Sequence, residues 1–147
     1  MTEQRLSADT AAGTEFEGTA KHVTFPRLWA FSGGPLALEG WPRSNLHTDP
    51  AFAKRVGMES VGASGTQYQG YVIQLLIELF GESWLENGHM KDIRFVKVVP
   101  DGAVLVPKAV VRGAVQAEGS TRVVLDVSCI DADGDPVLIG EASGVVA

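Results

Sequence analysis

A single cysteine, Cys129, and three histidines are all the thiol and imidazole that the 147 residues offer. One cysteine excludes an internal disulfide, and neither paired Cys/His ligands nor a phosphate-cradling glycine loop appears. Cys129 lies in VVLDVSCI, which reads as a buried strand, and nothing around it supplies the electropositive setting of a reactive thiolate. Basic residues are also in deficit. Twelve Lys and Arg stand against 18 Asp and Glu, a formal charge of −6, so the basic face of a nucleic-acid binder is not expected. No apolar run approaches the roughly 20 residues of a membrane span. The opening MTEQRLSADTAAGTEFEG has no apolar signal core, so a cytoplasmic location is expected, with neither membrane nor nucleic acid as partner. Residues 1–17 lack hydrophobic periodicity and read as a flexible tail. The remainder, residues 18–147, reads as one domain: 45% of the chain is apolar and 20% charged, enough for a real core.

Helix signals dominate the first half. In HVTFPRLWAFSGG, Thr24 is placed as an N-cap, Pro26 in the first turn, and Gly33-Gly34 at the end of a short helix. Residues 36–45, LALEGWPRSN, read as a loop. DPAFAKRVG is a second short helix, with Asp49 as cap, Pro50 at its first position and Gly57 just past its end. The clearest element is GTQYQGYVIQLLIELFG. Tyr68, Tyr71, Val72, Leu75, Leu76, Leu79 and Phe80 recur at helical spacing, and Ile73 and Ile77 widen the apolar face. Only Gln67, Gln74 and Glu78 form a polar stripe, so this helix belongs inside something.

From Ile93 the period changes. IRFVKVV, VLVPKAVVRGAVQ, TRVVLDVSCI and PVLIGEASGVVA read as strands, separated by turns at Asp101-Gly102, Glu118-Gly119-Ser120 and Asp131–Asp135. Short connections favour an antiparallel meander. The acids of the last turn do not make a calcium loop, because Pro136 and Ala142 stand where the central glycine and the closing acid would be needed. An antiparallel sheet wrapped around one long central helix buries both apolar surfaces. That is an α+β chain with the hotdog fold.

Five short motifs, in order, carry a resemblance. They are Ser32-Gly33-Gly34; Ser44-Asn45-Leu46-His47-Thr48-Asp49; Phe52-Ala53; Ala63-Ser64-Gly65 opening the long helix; and Arg94-Phe95-Val96-Lys97-Val98-Val99-Pro100-Asp101-Gly102. Over residues 20 to 146 the chain resembles the MaoC-like (R)-specific enoyl-thioester hydratases and dehydratases. The resemblance implies addition of water to an enoyl thioester, or its reversal, with the acyl group on CoA or a carrier protein. It implies no cofactor and no metal. One hotdog exposes a sheet edge along its Val-rich meander, so a homodimer or higher hotdog oligomer with sheets joined edge to edge is expected, and the resemblance adds a hetero-oligomer as the alternative.

Carried over residue by residue, His47 matches the family's acid/base histidine and Gly65 the glycine whose N–H polarises the thioester carbonyl. A positioned base makes water nucleophilic, and a helix N-terminus supplies a donor for the forming enolate. Ser64 and Gln67 flank Gly65 as substrate-binding candidates. The family's aspartate has no match: one register puts Pro42 there, the other Gly34. Glu39 is a substitute carboxylate or a solvated loop acid. Asp49 is a helix cap or a second acid. Ile73 stands near the family's polar helix position. The alternative to a lyase with a divergent site is a non-catalytic hotdog subunit that binds an acyl thioester or pairs with an active partner.

Overall fold

The computed structural model describes residues 5–33, 44–117 and 119–146. The described elements are β1 (Glu15–Glu17), β2 (Lys21–His22), α1 (Phe25–Phe31), α2 (Pro50–Arg55), α3 (Gly65–Phe80), α4 (Trp84–Asn87), β3 (His89–Phe95), β4 (Val104–Ala117), β5 (Ser120–Ile130) and β6 (Pro136–Val146). All strand pairings are antiparallel, in the order β1-β4-β5-β6-β3, with β2 beside β1 on the same edge of β4. α3 packs across β4, β5 and β6. This is the hotdog arrangement expected from the sequence. Among the described residues no helix is long and apolar enough to cross a membrane.

Alternation explains the packing. Leu105, Ala109 and Val111 of β4, then Val123, Leu125, Val127 and Cys129 of β5, point one way and are buried. They meet Tyr68, Val72, Leu75, Leu76, Leu79 and Phe80 of α3, spaced at i, i+4, i+7, i+8, i+11 and i+12. Near the end of β6 the close approach of α3 and α4 requires glycine. A Cβ on Gly144 would lie 2.7 Å from Trp84 Cδ1 and 2.8 Å from Phe80 Cδ1.

Three features depart from the sequence expectations. The segment read as a tail packs from residue 5 onward: Leu6 is only 2% exposed, and the Arg5 and Leu6 amides both donate to Leu79 O, near the end of α3. A helix leaves its last carbonyls unpaired, and this segment satisfies one of them. Glu15–Glu17 then forms β1 against Lys108–Val110. Second, the strand expected at IRFVKVV begins earlier and ends at Phe95. Third, the meander holds only for β4, β5 and β6. β3 joins the far side of β6, and Asp101-Gly102 makes a turn whose Gly102 N–H donates to Val23 O. β3 also carries a register shift between Lys91 and Arg94, with Asp92 at φ 54°.

The Asp131–Asp135 hairpin is as expected. Asp131 Oδ1 accepts from the Asp133 and Asp135 amides at 3.0 and 2.9 Å, and Lys97 Nζ bridges Asp131 and Asp135 at 2.6 and 2.8 Å.

Candidate active site

The site is assembled from the loop before α2 and the entry to α3. Asn45 organises the loop: its Oδ1 accepts from the His47 amide at 2.8 Å, and its carbonyl accepts from Asp49 N at 3.0 Å. Asp49 then caps α2 through Oδ1, which accepts from Ala51 N and Phe52 N at 2.9 and 3.2 Å. The Ser44 hydroxyl and these amides hold its carboxyl below the usual carboxylate range. Its lone pairs are spent on the cap, as the Asp-Pro opening suggests.

His47 is half-buried and turned toward residues 61–63. Its Nδ1 lies 2.7 Å from Gly62 O. A carbonyl only accepts, so Nδ1 donates in this bond, and Nε2 is the ring nitrogen left for acid–base chemistry. The same segment is tied down on both sides. Gly62 N donates to Leu46 O at 3.2 Å, and Ala63 N donates to Val99 O at 2.8 Å. A Cβ on Gly62 would meet Met58 Cε at 2.7 Å, so the methionine end packs directly over this backbone.

Two residues beyond Ala63, α3 begins. Ser64 is its N-cap by backbone conformation, with its hydroxyl turned to Thr66 Oγ1 at 2.9 Å rather than to a helix amide. Gly65 is the first helical residue. A Cβ there would come within 2.8 to 2.9 Å of the Phe95 ring, so glycine keeps the helix entry open beneath that ring. Phe95 meets Tyr68 edge-on, with centroids 5.4 Å apart. An open cleft of about 370 Å³ lies here, walled by Leu46, Met58, Gly62, Tyr68, Phe95 and Val98. His47 adjoins it through Leu46 and its bond to Gly62. A more enclosed cavity of about 280 Å³ lies beside Val99, Leu105 and Asp131, and His47 is on the wall of neither. The cleft lined by Leu46 and Gly62 is the one that His47 borders.

His47, Ser64 and Gly65 therefore come together at one end of α3. Asp49 does not join them, and Glu39, Pro42 and Gly34 lie outside the described residues. Among the described residues no carboxylate is hydrogen-bonded to His47, and none cluster to hold a metal. Ile73 packs on the core as an apolar residue. Gln67, expected within a polar stripe, is 6% exposed. Sequence reasoning missed Gly62 as the anchor of His47, and Phe95 and Tyr68 as aromatic walls. The run Gly62-Ala63-Ser64-Gly65 was the available signal, since four small residues mark a close approach.

The model of the MaoC like domain matches residues 43–132, from the His47 loop to the β5–β6 turn. The chain belongs to the MaoC-like family. Solved structures agree on the fold. This MaoC-like chain is similar to a monoamine oxidase regulatory protein from Archaeoglobus fulgius, with TM-score 0.77, 22% identity, and coverage of 99% of this chain and 97% of that one. It is similar to an (R)-hydratase from A. caviae involved in PHA biosynthesis, with TM-score 0.70, 19% identity, and coverage of 96% and 100%. The ChsH1-ChsH2 complex from Mycobacterium tuberculosis contains a chain at TM-score 0.69 and 15% identity, covering 94% of this chain and 99% of that one. No sequence among curated proteins matches the chain.

Proposed function

We propose that this MaoC-like chain is a lyase that adds water to a trans-2-enoyl thioester, or removes it from the 3-hydroxyacyl product, with CoA or a carrier protein as the thiol. The observation that carries this reading is the Nδ1 bond of His47 to Gly62 O, which ties the ring to the segment that leads into α3 and makes Nε2 the nitrogen for acid–base transfer. In the hydration direction Nε2 takes a proton from water as the oxygen bonds to C3. The electron pair of the double bond moves onto the thioester oxygen, where the N–H of Gly65 at the positive end of the helix stabilises it. The imidazolium then returns its proton to C2. Ser64 shapes that helix entry. Glu39 is the remaining candidate for the carboxylate that would share the water. The protein would work in the cytoplasm, without cofactor, as a homodimer or higher oligomer.

The test is hydration of crotonyl-CoA by the purified protein and by His47→Ala. Loss of general acid–base transfer lowers kcat by about 10²–10⁴-fold with little change in KM. Glu39→Gln, assayed alongside, shows a comparable loss if Glu39 is the second group.

One observation favours a second reading. The histidine has no described carboxylate partner, and Asp49 is committed to its cap. A hotdog subunit that only shapes an acyl site beside an active partner would show this pattern, and a complex of two chains is among the similar structures. In that case His47→Ala leaves the activity of the paired complex unchanged.

A further inference from the structure

Gln67 is the one polar or charged side chain among the described residues that is buried, at 6% exposure. A carboxamide offers two donors and an acceptor with two lone pairs. Gln67 makes one side-chain bond, from Nε2 to the Tyr71 hydroxyl at 3.1 Å, and its Oε1 has neither partner nor solvent. Exchanging the two amide atoms does not cure the deficit. The Tyr71 hydroxyl both donates and accepts, so it serves whichever atom faces it and leaves the other bare.

Gln67 also begins a stripe. Gln67, Tyr71, Gln74 and Glu78 follow one another at i, i+4, i+7 and i+11 on one side of α3. Farther along, Gln74 donates to Glu78 Oε1 at 3.0 Å and accepts from Lys21 Nζ at 2.6 Å. The Lys21 ammonium also stands 5.8 Å from the Tyr71 ring centre. At the exposed end of the stripe, where water could serve, both Gln74 amide atoms have partners. The enclosed end, where an empty valence is most unfavourable, is open. A leucine or methionine would fill the same volume without any polar deficit. The position also matters: Gln67 lies two residues past Gly65, and its amide donates to Ser64 O at 2.9 Å, inside the turn that forms the candidate site.

We infer that Gln67 is a specificity-determining residue that binds a hydroxyl on the acyl chain, close to the thioester, with Tyr71 fixing the amide. This rests on the thioester reading above and narrows it to hydroxylated enoyl groups, the hydroxyl being additional to the one that hydration creates. A hydroxyl suits either orientation of the amide, because it donates to Oε1 or accepts from Nε2.

The experiment compares crotonyl- with 4-hydroxycrotonyl-pantetheine, and pent-2-enoyl- with 5-hydroxypent-2-enoyl-pantetheine. The pantetheine arm is common to CoA and carrier proteins. Binding is measured calorimetrically in a His47→Ala background, which prevents turnover. The expected result is that one hydroxylated thioester binds about tenfold or more tightly than its parent compound, as in sites built around a hydroxyl. Gln67→Leu and Gln67→Met should each remove that preference by weakening the hydroxylated ligand alone. Equal binding within both pairs, or a preference that survives both substitutions, overturns the assignment of Gln67 while leaving the thioester reading intact. Binding of none of the four sinks the thioester reading and this assignment with it.

Discussion

Glycine to alanine at two positions should have opposite signs, and the difference follows from what each new methyl would touch. At Gly144 the methyl meets Trp84 Cδ1 at 2.7 Å and two Phe80 ring atoms at 2.8 and 2.9 Å. Ordinary carbon contacts are about 3.5–4.0 Å, so both rings would have to retreat by roughly 0.6–1.3 Å. Neither is free to do so. Phe80 is 1% and Trp84 8% exposed, and Trp84 Nε1 is tied to Ser143 O at 3.1 Å. Overpacking of this kind costs about 1–3 kcal/mol, and two confined rings place it in the upper part of that range. Alanine in a strand returns about 0.5–1 kcal/mol by restricting the unfolded chain, which leaves a net loss of about 1–2 kcal/mol. For a domain of this size that lowers Tm by roughly 2–8 °C. Gly70 is the control: it sits inside α3 on an exposed face, and a Cβ there meets nothing within 4 Å. Gly70→Ala should therefore raise stability by about 0.8–1 kcal/mol. Urea unfolding with unchanged slope reads both values. A Gly144→Ala protein as stable as its parent would show that the rings step aside freely and that the packing argument is wrong.

Leu76 is wholly buried between α3 and the sheet, so Leu76→Ala should cost about 2–5 kcal/mol in urea unfolding, and a loss under half a kilocalorie would contradict that placement. Burial pushes the Cys129 thiol up to about 12, so the native protein at pH 8 should not react with a thiol-specific disulfide reagent, while the unfolded chain releases one equivalent. Asp49 has its carboxyl held below the ordinary 3.8, so its contribution is present above that pH and is lost as pH falls through the lower folded value. The urea midpoint of the parent should therefore drop more steeply below pH 3.8 than that of Asp49→Asn, and parallel curves would remove the cap from the account.

Most of the fold was legible because its signals are local. Asp49-Pro50 with Gly57 delimits α2, and the i, i+4, i+7 series from Tyr68 delimits the buried face of α3. Turn glycines marked the β4–β5–β6 hairpins. What was not legible depends on distant partners. β1 is three residues, Glu-Phe-Glu, too short for its alternation to count as a signal, and it is a strand only because β4 offers an edge. Leu6 is a single apolar residue in a polar stretch, and its burial is decided by α3. β3 was expected beside β4 because neighbours in sequence usually pair, and the crossing to β6 leaves no trace in either strand. At the site, His47 and the Ala63-Ser64-Gly65 turn were readable as motifs, while the bond that selects the His47 tautomer comes from Gly62, whose carbonyl has no side-chain signature.

The irregularity in β3 bears on how this chain limits open-ended strand addition, as distinct from closed assembly into a dimer, while carrying long Val-rich strands. An exposed sheet edge is a template for any passing unfolded chain, and an even ladder of N–H and C=O groups invites fibre growth. Here one edge is broken into two short pieces, β1 and β2, of three and two residues. The other is β3, where Asp92 adopts φ 54° and the register slips between Lys91 and Arg94. A docking strand could follow the ladder on one side of Asp92 or the other, but not across it, and it would meet charges on both sides. Substituting Asp92 so that the strand runs straight would remove the interruption. The cost would then appear as turbidity on storage rather than as a lower melting point.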